Sequence, residues 1–302
     1  MKTDGTSRGN RLTAYAGIRE LTAEKGIKEA FNSARVMAYD GVELLYLASE
    51  CALLKDQTED IKAAIRESGI GVRCISCYAD LVGEGAPYEK NTATTEAVKR
   101  CIDLAKEIGC PQIHHTLVTR LTGNRLDYTP IFQKVLPIAE ELADYAESRG
   151  IEILYEPQGM IFNGLVGYST FFDLMLARHK NVGLCLDVGN TLWVDEDCYM
   201  LAKKYAQHVR HVHLKDYIIG NRVSESGGAC AKEPIVTPYR TLLGKPIKEV
   251  ALGQGIIDLA RVFDILTSSG YTGSFSIEDN SGADFEAMSL NAHAVVSKLL
   301  HK

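Results

Sequence analysis

Four acidic or imidazole side chains stand at the ends of short apolar runs in the second half of the sequence: Glu156, Asp187, His213 and Glu278. In a β-strand successive side chains point to opposite faces, and each of the four falls on the face opposite the large apolar residues of its run. Three carboxylates brought together would repel one another unless a cation compensated their charge. Three carboxylates and an imidazole suit one divalent ion such as Mn²⁺, Mg²⁺ or Zn²⁺.

One such residue alone is more often a capping group or half of a salt bridge. Four of them on successive strands favour a shared metal site.

The elements that must position these residues alternate along the chain as strand and helix. The predicted strands are 11–17, 41–47, 70–78, 111–117, 151–156, 182–187, 209–215 and 274–278. Predicted helices follow them at 26–39, 56–68, 88–109, 129–149, 168–179, 195–207, 258–270 and 284–300. This α/β pattern predicts a single (β/α)₈ TIM barrel, in which the carboxyl ends of the strands form the active-site face. The rival is an open doubly wound sheet, but no glycine-rich phosphate fingerprint follows the first strand.

The sequence predicts one domain with one long departure from the alternation. Residues 1–10 are expected to be a disordered N-terminal segment, and 11–302 to form the barrel. Residues 217–250 are rich in Gly, Pro and Ser and are expected to be an insertion loop after the seventh strand. Such a loop could be a substrate lid or a contact in a homo-oligomer.

Charge, hydropathy and cysteine content argue against several classes of protein. A net charge of −6 and a pI near 5.8 give no basic footprint for nucleic acid. No apolar run approaches the ~18 residues of a membrane span, and the polar first ten residues lack the apolar core of a signal peptide, so a cytoplasmic location is expected.

Eight cysteines do not make a disulfide scaffold in a chain of this size. Cys74 and Cys77 resemble a redox pair, but positions three apart on a strand face opposite sides.

Several short segments resemble signature segments of the sugar phosphate isomerase/epimerase family, the xylose isomerase-like TIM barrels. They are 155–157, 186–190, 211–216, 252–258 and 270–278, in that order along the chain. The resemblance implies that Glu156, Asp187, His213 and Glu278 are metal ligands. It also implies that Glu156 and Glu278 form the acid/base pair of the family's ketose 3-epimerases.

The activity that this resemblance implies is isomerisation or epimerisation of a small sugar or keto-sugar. A carbonyl polarised by the metal acidifies the neighbouring carbon, one glutamate removes its proton, and the other can return a proton to the opposite face. Mn²⁺ is the expected ion, with Mg²⁺, Co²⁺ and Zn²⁺ as alternatives.

Three positions depart from the family pattern. Asn190 stands where many relatives carry His, and Phe162 replaces the second glutamate of the epimerases. Ile219 stands where those enzymes carry an arginine, for which Arg222 or Arg240 could substitute. These departures leave the reaction open and the metal site intact.

Further residues are candidates for substrate binding. Lys215 shares a strand face with His213 and could hold a substrate oxygen, or could neutralise Asp216 or Glu156. His211 lies deeper and is more typical of a hydrogen-bonded interior histidine than of a ligand. The remaining candidates are Asn190, His115, Gln158, Trp193 and Arg222. Of His114 and His115, at most one points into the barrel, and Trp193 is a stacking platform for a sugar or a packing residue.

Other functions use the same fold. Removal of the proton next to the carbonyl leaves an enolate. This enolate could expel a β-leaving group, which would make the protein a keto-inositol dehydratase or a lyase on oxidised glycosides. An abasic-site endonuclease would need a three-metal cluster with further His ligands, and Asn190 occupies one such position. A sugar-binding subunit without turnover is the non-catalytic alternative.

Overall fold

A closed barrel of eight parallel strands forms the centre of the computed structural model, which describes residues 11–119, 128–220 and 235–300. The described residues contain the strands β1 (Arg11–Ala14), β2 (Gly41–Leu47), β3 (Gly71–Tyr78), β4 (Gln112–His115), β5 (Glu152–Tyr155), β6 (Val182–Asp187), β7 (Val209–Leu214), β8 (Asp216–Ile219), β9 (Ile247–Val250) and β10 (Ser274–Ile277). All except β8 and β9, which pair with each other, belong to the barrel. Around the barrel the order is β1-β10-β7-β6-β5-β4-β3-β2. The predicted (β/α)₈ barrel is therefore confirmed, with β10 as its eighth strand.

Helices follow the barrel strands along the chain. They are α1 (Ile18–Lys25), α2 (Ile27–Val36), α3 (Leu54–Ser68), α4 (Thr92–Ile108), α5 (Tyr128–Arg149), α6 (Gly164–Arg178), α7 (Tyr199–Lys204), α8 (Leu259–Ser268) and α9 (Phe285–Leu300). None of the described helices has the length and the apolar composition to cross a membrane.

Two of the predicted helices depart from the structure because of single backbone angles. The helix predicted at 26–39 is preceded by a further helix, and Gly26 separates the two with a φ of 88°, a conformation that glycine adopts at little cost. The helix predicted at 195–207 shortens to α7. Asp195 ends a 3₁₀ segment with a φ of 61°, which is outside the helical region, so an α-helix cannot begin there.

Helix α4 shows how local sequence sets its ends. The side chain of Asn91 accepts a hydrogen bond from the backbone N–H of Thr94, which caps the amino end. At the other end Gly109 takes the left-handed conformation with φ 72°. The helix therefore begins at Thr92, four residues later than predicted, and it buries Ala97, Cys101, Leu104 and Ala105.

The insertion begins and ends as a two-stranded antiparallel sheet. Strands β8 and β9 pair in the register Asp216 with Val250 and Ile219 with Ile247. Their apolar side packs with Leu192 and Trp193. The ends of the predicted loop are thus ordered strands, while residues 221–234 lie outside the described part of the chain.

The strands bury two different faces. The outer face packs against the helices, with strand residues such as Tyr155 and Phe275 in one core with helix residues such as Phe31 and Phe171. The inner face carries polar and small residues, since His211 and His213 turn inward while Val212 and Leu214 join the outer core. This alternation places the chemistry-bearing side chains inside the barrel.

The cysteines follow the same division. Cys74 packs inside the barrel with Leu154 and Cys185. Cys77 lies in the outer core, where its sulfur is 3.9 Å from that of Cys51. The two cysteines of the Cys74–Cys77 segment therefore point to opposite sides, as the strand pattern predicts, and both are free thiols.

Candidate active site and metal centre

Four neighbouring strands bring the predicted ligands together at one end of the barrel. Glu156 directly follows β5, Asp187 ends β6, His213 lies near the end of β7, and Glu278 directly follows β10. One nitrogen or oxygen atom from each residue lies within 4.8 Å of the others. The convergence predicted from strand order is present in the structure.

The Nδ1 atom of His213 stands at the centre of this group. It lies 2.8 Å from Oε1 of Glu156, 3.1 Å from Oε2 of Glu278 and 4.0 Å from Oδ2 of Asp187. Atoms that share an ion at about 2.1 Å are themselves about 3–4 Å apart. The separations from Nδ1 are therefore close to those of a shared coordination shell.

Burial makes these charges costly and separates their pKa values. Desolvation raises the pKa of Glu156 to about 8, although His213 opposes the shift. Burial also raises the pKa of Asp187, against the effect of Lys215. For Glu278, Lys215 and His213 outweigh the effect of burial and lower the pKa to about 2. Before an ion binds, the carboxylates of this site thus differ in their tendency to hold a proton.

Lys215 supplies positive charge inside the site. Its ammonium nitrogen lies 2.9 Å from Oδ2 of Asp187 and 2.9 Å from Oε1 of Glu278. Burial would lower the pKa of Lys215, but these two carboxylates outweigh it and hold the pKa well above its ordinary value. Among the described residues, Lys215 therefore forms its ion pairs with Asp187 and Glu278, and not with Asp216 or Glu156, the partners that one of the two alternatives gave it.

Asp216 has a different, structural role. Its carboxylate accepts hydrogen bonds from the backbone N–H groups of Gly253, Gly255 and Ile257. It therefore fixes the segment that returns from β9 toward α8.

Two carboxylate oxygens of the group are held mainly by charge. Among the described residues, Oδ2 of Asp187 has the Lys215 ammonium 2.9 Å away and Oε2 of Glu278 has Nδ1 of His213 3.1 Å away, but neither contact has hydrogen-bond geometry. Three buried carboxylates and one buried imidazole are a donor set that fits a divalent ion.

Asn190 lies beside this group. Its backbone N–H donates to Oδ1 of Asp187 at 2.6 Å, and its side-chain oxygen accepts from Lys215 at 3.3 Å. The side-chain nitrogen is buried with no partner among the described residues. Asn190 can therefore offer a hydrogen bond to a substrate oxygen.

Two tyrosines lie beside the ligand group. The ring of Tyr15 stacks on that of His213 with the centroids 5.1 Å apart. Gln158, a predicted contact residue, donates to the hydroxyl of Tyr78 at 3.2 Å. A cavity of about 110 Å³ is lined by residues that include Tyr15, Tyr78 and Glu278. The tyrosines were not among the predicted residues, although both stand just beyond or at the end of a strand.

Several other predicted residues do not reach the site. His114, and not His115, points inward, with Nε2 3.4 Å from Oε2 of Glu156. His115 bonds the backbone oxygen of Thr116 and packs on Tyr155 in the outer core, because neighbouring strand residues face opposite sides.

The aromatic and arginine candidates also lie elsewhere or outside the described chain. Trp193 packs edge-on against Tyr217 and Tyr239 of the insertion, so it is a packing residue here. Arg240 is exposed and donates to the backbone oxygens of Thr237 and Tyr239. Arg222 lies outside the described residues.

Glu43, on β2, is a buried acidic residue that the sequence motifs do not include. It contacts both His211 and His213 in the barrel interior. Burial raises the pKa of Glu43, but the two histidines outweigh this and hold it well below its ordinary value. The available signal was its position as the one charged residue of the apolar strand Gly41–Leu47.

Comparison with known proteins supports the resemblance seen in the sequence. The family described as "Xylose isomerase-like TIM barrel" matches residues 31–295. An inosose dehydratase from Geobacillus thermodenitrificans is 28% identical over 241 residues, covering 73% of this chain and 73% of that protein. An L-ribulose-5-phosphate 3-epimerase from Escherichia coli O45:K1 is 23% identical over 265 residues, covering 83% of this chain and 81% of the enzyme.

A solved structure has the same fold. A xylose isomerase-like TIM barrel protein from Mycobacterium smegmatis, in complex with magnesium, superimposes with a TM-score of 0.70 at 16% identity and covers 97% of both chains. The predicted family is confirmed, because its pattern covers most of the sequence. The chain belongs to the xylose isomerase-like TIM barrel family.

Proposed function

We propose that this protein is a divalent-metal-dependent isomerase or epimerase that acts on a sugar or keto-sugar. The observation that carries the proposal is the convergence of Glu156, Asp187, His213 and Glu278 within 4.8 Å of one another. The epimerase and dehydratase names of its relatives support the same class of substrate.

The four converging residues would hold the ion, which we propose is Mn²⁺ under physiological conditions. When bound, such an ion polarises a carbonyl and its neighbouring hydroxyl and so acidifies the carbon between them. Oxygen-rich sites with one imidazole also accept Mg²⁺, Co²⁺ or Zn²⁺.

The chain's own residues supply the proton transfers. Glu156 and Glu278 follow β5 and β10, which are separated in the barrel by β6 and β7. They therefore approach the cavity from different sides. One carboxylate removes the proton from the acidic carbon, and the other carboxyl group returns a proton to the opposite face, which inverts that centre.

Neighbouring side chains would orient the substrate. Lys215 and Asn190 lie against the ligand group and can bind hydroxyl or carbonyl oxygens. Tyr15 and Tyr78 line the small cavity beside Glu278, where they can pack on the sugar and exclude water.

Dehydration of a keto-inositol is a second candidate, favoured by the identity of 28% with inosose dehydratase. In that reaction a carboxylate removes the α-proton and the β-hydroxyl leaves after taking a proton, so the products are water and an enol that tautomerises to a 1,2-diketone. The ammonium of Lys215 or the second carboxyl group can supply the leaving proton.

Solvent-deuterium exchange tests the proposal directly. Purified protein with Mn²⁺ is incubated in D₂O with ketoses, aldoses and keto-inositols, and deuterium incorporation and products are followed by NMR. We expect exchange at the carbon next to the carbonyl, and we expect Glu278→Gln to lower its rate by at least about 100-fold, because the carboxylate that moves the proton is lost. An epimer or an aldose–ketose isomer as product identifies the first candidate, and a deoxygenated 1,2-diketone or its enol identifies the second.

Glu152→Gln is the matched control, since Glu152 lies at the other end of β5 and pairs with Arg210. The Glu152→Gln variant should catalyse deuterium exchange into the substrate at the wild-type rate. Full exchange by Glu278→Gln would remove Glu278 from the acid/base role, and wild-type protein inactive on the whole panel would favour the non-catalytic alternative.

A further inference from the structure

Glu43 is fully buried in the middle of β2 and is surrounded by four donors. Oε1 lies 3.0 Å from Nε2 of His213 and accepts from the Ser76 hydroxyl at 2.7 Å. Oε2 lies 2.7 Å from Nε2 of His211 and accepts from the Ser276 hydroxyl. A carboxylate has about four acceptor sites, so this side chain is filled by its neighbours.

The acceptor role of Glu43 determines where the surrounding protons lie. A carboxylate donates nothing, so His211 and His213 must each carry a proton on Nε2 to bond it. In His211 the other nitrogen, Nδ1, is then the acceptor for the side-chain amide of Gln112 at 3.3 Å. All the partners of His211 are consistent with one placement of its protons.

The same reasoning extends to His114. Ser76 gives its single hydroxyl hydrogen to Glu43, so it must accept from Nδ1 of His114, which is 3.1 Å away. The Nε2 atom of His114 is then left without a proton in the neutral ring, and it faces Glu156. One buried carboxylate thus sets the proton positions of three interior histidines.

His213 is the histidine for which this placement matters most. With Nε2 donating to Glu43, its Nδ1 atom faces Glu156 and Glu278. The stacked ring of Tyr15 restrains the same imidazole from one face. The ring is therefore held in one orientation at both of its nitrogens and on its face.

We propose that Glu43 is a positioning residue that holds His213 with Nε2 protonated and Nδ1 directed into the ligand group. The part of this inference that concerns metal affinity rests on the proposed function, but the placement of the protons does not. Carboxylates that orient a metal-binding histidine in this way commonly strengthen metal binding about 10- to 100-fold.

The proton placement is tested by ¹⁵N NMR of metal-free protein labelled at histidine. Protonated and bare ring nitrogens have well-separated shifts, and the signals are assigned with His211→Gln and His213→Gln. We expect a slowly exchanging proton on Nε2 of both histidines, bonded to Glu43, whatever the state of Nδ1 of His213. A bare Nε2 on His213 in the wild-type protein would overturn the inference.

The orienting effect is tested with Glu43→Gln, which places an amide N–H₂ where an acceptor oxygen stands. We expect its dissociation constant for Mn²⁺ to rise about 10- to 100-fold in a calorimetric titration. Ser276→Ala is the matched control, since Ser276 bonds Oε2 of Glu43 whereas His213 bonds Oε1. Its affinity should stay within about threefold of the wild type.

The outcomes separate the two proposals. If Glu43→Gln binds Mn²⁺ as tightly as the wild type, Glu43 is not a positioning residue. If the wild type binds no divalent ion, the proposed function fails, while the NMR result on the wild-type protein still decides the proton placement. The same NMR result decides it if Glu43→Gln does not fold.

Discussion

At the level of single residues, Lys215 balances the negative charge of the site before any ion is bound. Its ammonium lies 2.9 Å from carboxylate oxygens of both Asp187 and Glu278, and the side chain is buried. Removing one partner of a buried ion pair costs about 3–5 kcal/mol, because the remaining charge is left unpaired. The metal-free protein is therefore expected to depend on Lys215 for stability.

Lys215→Met tests this dependence. We expect the free energy of unfolding of the chelator-treated protein to fall by about 3 kcal/mol in urea, and saturating Mn²⁺ to restore a large part of it. Lys90→Met is the matched control, because Lys90 pairs with Glu141 at the surface, where such pairs contribute less than about 1 kcal/mol. Equal stability of Lys215→Met and wild type would show that the ammonium does not balance these carboxylates.

The sequence predicts some site residues and misses others for a physical reason. Glu156, Asp187, His213 and Glu278 could be found because each ends an alternating strand and their strands are neighbours in a barrel. Glu43, His114 and Tyr15 could not be assigned, since their roles depend on contacts across the barrel between residues far apart in the chain. The pair His114 and His115 shows how far the strand pattern can predict a site. Alternation indicates that at most one of the two faces inward, but it does not indicate which one.

At the level of elements, the segment between β9 and α8 depends on close packing around Asp216. The Asp216 carboxylate accepts backbone N–H groups of this segment, including that of Gly255 at 2.8 Å. A Cβ atom on Gly255 would lie 2.0 Å from Oδ1 of Asp216 and 2.4 Å from the backbone oxygen of Tyr217. Residue 255 therefore has no room for a side chain.

Gly255→Ala should disturb this segment. We expect a loss of about 1–3 kcal/mol in the free energy of unfolding, because a backbone atom must move to relieve the overlap. In Gly71→Ala, where an added Cβ meets nothing within 4 Å, the change should be within about 1 kcal/mol. Urea titrations of the two variants provide the comparison, and equal effects would show that crowding at Gly255 is not important.

Strand positions were predictable more closely than helix ends. β2 and β6 match their predicted bounds, since an apolar run bounded by turn residues fixes both ends. The break at Gly26 and the shortening of α7 depend on single backbone angles, which composition does not determine. The hairpin of β8 and β9 was predicted as loop because the segment that contains its two short strands is rich in Gly, Pro and Ser.

At the level of the whole molecule, the site joins four neighbouring strands of a closed barrel. An ion held by residues of β6 and β7 and residues next to β5 and β10 would bind the folded state and not the unfolded chain. At a free concentration 100 times the dissociation constant, such binding adds about 2.7 kcal/mol to stability. Metal binding and resistance to unfolding should therefore rise together.

Calorimetric titration of Mn²⁺ into chelator-treated protein tests the central claim most directly. We expect one ion per chain in the wild type, and a dissociation constant at least about 100-fold higher in Asp187→Asn, which removes a charged ligand. Glu152→Asn, far from the ligand group, should bind as the wild type does. The absence of binding, a stoichiometry of three ions per chain, or equal affinity of Asp187→Asn and wild type would contradict a single metal site formed by these four residues.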